Sequence, residues 1–231
     1  RGLIDGPHPQ IAVSPDTFET KMPRWASVSP DGRTIVFETL GKLWTKPMAG
    51  GAAKRLTASG DELEMFPAWS RDGRTIAYVG WTDAGLGESK VTGSAGGKPR
   101  TVTTHPGHYA KPRFSPDGRT IVFESRESEG LTSALWSANP GVYRVAAGGG
   151  APVMVAKDMA EPQFGAANDR VFMLGRDDGK RALVSTDLSG EAKRVHARGE
   201  LVNDYQVSPD GRTIAFRQNY EAFAMPLMPA D

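Results

Sequence analysis

With 231 residues the chain is long enough to bury a sizeable core in one or two domains. Hydrophobic residues make up 39% and charged residues 24%, the balance of a globular chain, and the net charge of +1 with no basic run excludes an electrostatically driven nucleic-acid binder. The absence of cysteine excludes disulfides, thiolate metal sites and cysteine nucleophiles, and no apolar run approaches the length of a membrane span.

The chain opens with RGLIDGPHPQ, which lacks an initiator Met and a signal-peptide apolar core and reads as a processed or excised start. PQIAVSP, residues 9–15, is short and partly alternating, a candidate strand. From Val28 a block VSPDGRTIVFET begins, and it recurs as WSRDGRTIAYVG from Trp69, FSPDGRTIVFES from Phe114 and VSPDGRTIAFRQ from Val207. Its aspartate falls at Asp31, Asp72, Asp117 and Asp210, with gaps of 41, 45 and 93 residues. The doubled last gap predicts another copy near residue 165. FGAANDRVFML, from Phe164, supplies it without the Ser-Pro-Asp-Gly sequence.

The block has a physical reading. Proline presets φ at the second turn position, aspartate follows, and glycine takes the left-handed conformation that leads into a bulged hairpin. Thr-Ile-Val-Phe-Glu behind it supplies the β-branched and aromatic residues of a strand buried on both faces. A second glycine marker, at Gly51, Gly97, Gly150 and Gly190, falls between the Asp-Gly blocks. One unit therefore reads as four strands joined by an Asp-Gly turn, a loop and a Gly turn, repeated every 40–50 residues or so, the signature of a β-propeller blade.

The expectation is an all-β, single-domain propeller of four-stranded antiparallel blades over residues 1–231, with blades near 25–58, 67–104, 112–156, 162–197 and 203–228. The fifth unit lacks an outer strand; either residues 1–24 supply it through PQIAVSP and both termini close a five-bladed ring, or the chain is part of a six- or seven-bladed one.

These repeats resemble those of TolB-like β-propellers, relatives of the WD-repeat blades, over roughly residues 25–228. More narrowly, GHYAKPRFSPDGRTIVFES, LWSANPGVYRVAAGGGAP and SPDGRTIAFRQNYEAFAMPL look like the propeller portion of large bacterial amidohydrolase-family proteins. The narrow resemblance implies a metal-dependent hydrolase barrel elsewhere in a larger protein, and a periplasmic or otherwise extracytoplasmic setting. Fold alone assigns no reaction to these residues.

The residues themselves carry no catalytic set. The four histidines, His8, His105, His108 and His196, form no His-x-His pair, and the Gly-x-Ser-x-Gly elbow is absent. The repeated serines before each turn are expected to bond the backbone, and the repeated aspartates to hold turns rather than calcium. In HPGHY, His105 and His108 could share a metal with a carboxylate from another blade, or serve as ordinary loop residues. No cofactor is expected in this chain, and a metal centre would belong to a separate hydrolase domain.

The segments before each inner strand vary where the rest repeats. Their Asp61, Glu62, Glu64, His105, His108, Tyr109, Lys111, Glu161 and Asp204 are expected to gather at one mouth of the channel. A mixed-charge mouth suits a protein, a peptide or the chain's own downstream domain; the alternative is that these segments are only a solvated, variable loop set. Trp25, Trp69, Phe114 and Phe164 are assigned to inter-blade core, and Trp81 and Trp136 to exposed contacts. The functional expectation is a non-catalytic binding or positioning module. The alternative is a propeller that holds a metal or small ligand at its mouth and contributes to hydrolysis.

Overall fold

The structure is a computed structural model that describes residues 19–126, 139–199, 202–218 and 220–227. The candidate strand at residues 9–15 and Trp136 lie outside the described residues. The described residues form antiparallel sheets, each built from consecutive strands. The first holds β1 (Arg24–Val28), β2 (Thr34–Thr39), β3 (Lys42–Pro47) and β4 (Lys54–Arg55). The second holds β5 (Leu63–Trp69), β6 (Thr75–Thr82), β7 (Leu86–Gly93) and β8 (Arg100–Thr101). The third holds β9 (Tyr109–Phe114), β10 (Thr120–Ser125), β11 (Gly141–Ala146) and β12 (Val153–Lys157). The fourth holds β13 (Ala160–Phe164), β14 (Arg170–Asp177), β15 (Lys180–Asp187) and β16 (Arg194–Arg198). The fifth has three strands among the described residues, β17 (Val202–Val207), β18 (Thr213–Gln218) and β19 (Glu221–Pro226).

The first strand of every sheet lines one central channel, and β1, β5, β9, β13 and β17 pack in that order. Four apolar clusters fill the spaces between successive sheets. Their composition follows from the pleat, which sends alternate side chains to opposite faces. In β10, Ile121 and Phe123 join the cluster shared with the second sheet, while Val122 joins the cluster shared with the fourth. A strand flanked on both sides is buried throughout, which is why Thr-Ile-Val-Phe-Glu has no polar face.

The repeated turn is one hydrogen-bonded unit. Ser115 Oγ donates to Asp117 Oδ1 at 2.6 Å, and the Arg119 N–H reaches the same oxygen at 3.0 Å. The Thr120 N–H donates to Ser115 Oγ at 3.0 Å, and the Gly118 N–H closes the turn on the Ser115 carbonyl at 2.9 Å. The same bonds form at Ser29, Ser70 and Ser208. The glycine sits at φ +71° in the first three turns and +68° in the last, the left-handed region that excludes most side chains. The serine hydroxyl, followed by the arginine N–H, holds each aspartate carboxyl below its usual range. The repeated aspartates are thus committed to the turn.

The fourth sheet replaces this turn with contacts to the third and second sheets. Asn168 Oδ1 accepts the Asp117 N–H at 2.9 Å, and Arg71 donates to the Gly165 carbonyl at 2.8 Å from the second sheet. Of the second glycine markers, Gly51, Gly97 and Gly150 would have open space around a Cβ, and Gly190 differs. At Gly190, φ +86°, a Cβ would run into the Val155 carbonyl of the preceding sheet, so a close backbone approach demands glycine there.

Candidate functional site

Every inner strand is bulged at the same place. Pairing with the second strand slips between Arg24 and Ser27, between Met65 and Ala68, opposite Val122 and Glu124, between Ala160 and Gln163, and between Asn203 and Tyr205. Each slip contains one residue in the left-handed region: Trp25, Phe66, Lys111, Glu161 and Asp204, at φ 49°, 55°, 52°, 56° and 42°. A positive φ is uncommon for residues other than glycine, and its fivefold recurrence at one structural position marks a designed feature. In the first four sheets the bulge re-aims one side chain at the channel.

Trp25, Phe66, Lys111 and Glu161 line a channel of about 740 Å³. The Trp25 and Phe66 rings lie 4.2 Å apart and form an aromatic wall. Opposite in character, Lys111 and Glu161 form an ion pair between the third and fourth sheets. Burial draws the Lys111 ammonium below its ordinary range, against the pull of Glu124. Deeper in the channel Arg113 is also lowered by burial, and Gln163 bridges to the fifth sheet through the Tyr205 carbonyl at 2.7 Å.

The fourth and fifth bulge residues also border a second cleft of about 890 Å³. Arg126, Lys157, Arg176 and Arg181 face Asp158, Glu161 and Asp204 there. Asp204 pairs with Arg217 at 2.5 Å, both largely exposed, so this pair is a weak constraint on either partner. The channel and this cleft share Glu161; the channel offers the aromatic faces and the cleft is lined by charges of both signs.

Lys111, Glu161 and Asp204, expected at the mouth from the sequence, all occupy the bulge position. Asp61, His105 and His108 are exposed on the segments leading into the second and third sheets. Glu62 is turned aside into an ion pair with Lys90, and Tyr109 is half-buried with its ring 4.8 Å from Phe123. Glu64 departs from the expectation altogether. It is fully buried and accepts the Leu43 N–H at 2.8 Å, the Ser59 hydroxyl at 2.6 Å and the Thr57 hydroxyl, stitching the first two sheets together. Alternation along β5 explains this: Glu64 points to the face opposite its neighbours.

The aromatic assignments divide similarly. Trp69, Phe114 and Phe164 pack in the inter-sheet clusters, whereas Trp25 belongs to the channel wall. Trp25 and Phe66 were legible only as a column of the repeat alignment, six residues before the turn aspartate, where the side chain changes in every copy. Trp81 is half-buried, with Nε1 3.2 Å from Asp83 and its ring 4.7 Å from His108.

His105 Nδ1 lies 3.0 Å from the Thr104 hydroxyl, and among the described residues no group of three or more His, Cys, Asp or Glu side chains is arranged to hold a metal ion. His196 is half-buried beside the Ser185 hydroxyl at 2.8 Å. Burial, and then Arg170 and Arg194, keep its imidazole below the ordinary value of 6.5. The folded protein therefore resists protonation that the unfolded chain accepts. Stability is unaffected above about pH 6.5 and falls as pH drops from there towards the lowered folded value. Urea titrations at pH 7.5 and 5.5 should show this loss, and His196→Gln should reduce it. An unchanged difference in the variant would assign the effect elsewhere.

Sheets of this kind, ranked around one channel with an Asp-Gly hairpin opening four of them, define a β-propeller of TolB-like fold. No protein-family model matches the chain. It is 36% identical over 103 residues to a TolB homologue from Chlorobium chlorochromatii, covering 43% of this chain and 22% of that protein. It is 24% identical over 227 residues to tricorn protease homologue 1 of Streptomyces coelicolor, covering 92% of this chain and 20% of that protein. A shorter match, 32% identical over 71 residues and 31% of this chain, links it to the uncharacterised peptidase YuxL of Bacillus subtilis, of which it spans 11%. The crystal structure of TolB from Acinetobacter baumannii superposes with a TM-score of 0.67 at 17% identity, over 89% of this chain and 51% of that one. The chain thus spans between 11% and 22% of the length of these curated relatives.

Proposed function

We propose that this chain is a non-catalytic propeller module that binds an extended peptide or a protein segment at its channel mouth, within a larger bacterial protein. The observation that carries this reading is the recurring bulge, which places Trp25, Phe66, Lys111 and Glu161 along the channel and Asp204, with Glu161, along the second cleft. An aromatic wall facing paired charges suits a peptide, whose side chains stack while its backbone and termini find polar partners. Two of the relatives carry peptidase names, which supports peptide handling in proteins with this propeller.

The larger protein is proposed to be amidohydrolase-like and extracytoplasmic. That part rests on the sequence segments that resemble such propellers, and the metal chemistry would then lie in a separate domain. Metal analysis of the longest natural polypeptide containing this chain tests it separately: absence of a stoichiometric metal would remove the amidohydrolase assignment and leave the binding role standing.

For the mouth itself, peptides selected from a linear random library against the protein should bind Trp25→Ala and Lys111→Glu at least about tenfold more weakly, a loss of 1.4 kcal/mol or more. Fluorescence anisotropy measures the affinities, and thermal melts show whether the variants stay folded. Undiminished binding to both folded variants would place the peptide site elsewhere.

A further inference from the structure

The hairpin between β14 and β15 projects from the mouth end of the fourth sheet, since Ala160 at the start of β13 pairs with Leu174. Leu174 and Leu183 lie opposite each other and face the fifth sheet in an apolar cluster. Two residues further out on the same face, Arg176 and Arg181 are paired in the same register. Like charges directly opposite one another across an antiparallel pair are destabilising. Asp177, between them and the turn, does not relieve them. It points to the other face, where Lys193, at 2.6 Å, and Arg198 hold it. Asp178 is exposed in the turn and makes no ion pair among the described residues.

Both arginines line the cleft of about 890 Å³, together with Arg126 and Lys157 of the third sheet. Arg176 Nη1 donates to the Gly179 carbonyl at 3.0 Å, within its own hairpin, and Arg126 Nε donates to Glu124 at 2.6 Å. The side chains of Arg181 and Lys157 make no hydrogen bond or ion pair among the described residues. Of the carboxylates along the cleft, Glu161 is paired with Lys111 and Asp204 with Arg217. That leaves Asp158 against Lys157, Arg176 and Arg181. The whole chain carries a net charge of only +1, so this excess is local and not the trace of a basic surface. The floor is apolar, made by Leu174 and by Met159, whose Sδ fills the space that a Cβ on Gly175 would need.

We infer that the cleft is a carboxylate subsite that receives acidic side chains of a bound peptide. A guanidinium pairs with a carboxylate through two parallel hydrogen bonds, and two arginines held side by side present that fork twice. A carboxylate between them also cancels their repulsion, so a juxtaposition that is unfavourable in the free protein becomes favourable in the complex. Glutamate suits the floor as well, because its methylenes can lie on Met159. A dianion such as phosphate fits less well, since Asp158, Glu161 and Asp204 lie along the same walls. The cleft shares Glu161 with the channel, so an extended chain that leaves the channel past Glu161 enters the cleft. That a peptide carries the carboxylates rests on the channel's reading as a peptide site. The carboxylate site itself does not.

Fluorescein-labelled tetraglutamate with an amidated C-terminus probes the cleft, and its anisotropy reports binding at low ionic strength. Arg176→Gln combined with Arg181→Gln should weaken binding at least about tenfold, and Lys157→Gln alone by several-fold. The double variant should melt no lower than the parent, because the repulsion across the hairpin is relieved. Arg33→Gln combined with Arg74→Gln removes the same charge from the exposed Asp-Gly turns at the opposite end, and should change the affinity by less than about twofold. Labelled tetraglutamine amide should bind at least about tenfold more weakly than tetraglutamate. Equal losses in the two double variants would overturn the inference and reduce the effect to net charge. So would absence of binding to the parent. Free-acid tetraglutamine binding as tightly as the amidated tetraglutamate would also overturn it, because a terminal carboxylate would then be the ligand. Peptides selected for the channel test Trp25 and Lys111 separately, so either reading can fail while the other stands.

Discussion

Replacing Phe123 by alanine is expected to lower the folding stability by about 3–5 kcal/mol, a large part of what a domain of this size possesses. The ring is fully buried in the cluster between the second and third sheets, with Tyr109 4.8 Å away and Tyr143 6.3 Å away. Truncation would leave a cavity walled by two strands that cannot collapse, because hydrogen bonds on both edges hold β10 in place. Urea denaturation monitored by circular dichroism measures the loss. Phe223→Ala is the matched control: its ring is 42% exposed and stacks on Phe216, so it should cost well under half as much. Equal losses would mean that the two rings are comparably packed and that the cluster is looser than its burial implies.

Glu64→Ala should cost about 3 kcal/mol by a different route. The carboxyl is buried and satisfies the Leu43 N–H together with the Thr57 and Ser59 hydroxyls. Its removal leaves a buried backbone donor without an acceptor, and that desolvation penalty is paid in full. Glu64→Gln keeps one carbonyl for the Leu43 N–H and should recover part of the loss. If the alanine variant unfolds at the same urea concentration as the parent, the stitch between the first two sheets contributes nothing. The result also bears on function: a residue with this role is unavailable to a partner at the mouth, unlike Asp61, which is exposed three residues earlier.

Local chemistry was legible to the extent that it repeats. Ser-Pro-Asp-Gly encodes its own turn through contacts within five residues, so no tertiary information is needed to read it. The copy at Phe164 shows the boundary of that rule. Lacking the Ser-Pro-Asp-Gly sequence, the fourth turn is held by Asp117 and Arg71 from other sheets, and only the assembled structure reveals those bonds. Glu64 marks another boundary. A single-residue difference in register along β5 decides whether a carboxyl faces solvent or core, and acidic composition is blind to register.

The sequence by itself determined that this protein is a propeller of Asp-Gly hairpins, because turn geometry and strand burial are written in local residue types and a regular period. It also determined which segments vary, and three of the five bulge residues lie among those picked as mouth candidates. The tertiary structure decided what a period cannot carry. It showed that Trp25 and Phe66 join Lys111, Glu161 and Asp204 as one ring of left-handed bulges, since a bulge is a mismatch between two strands and belongs to neither alone. It decided, too, that Val28 and Val207, placed alike in the repeat, have opposite fates. One is covered by a neighbouring sheet and the other is not, and burial is a property of the neighbour as much as of the residue.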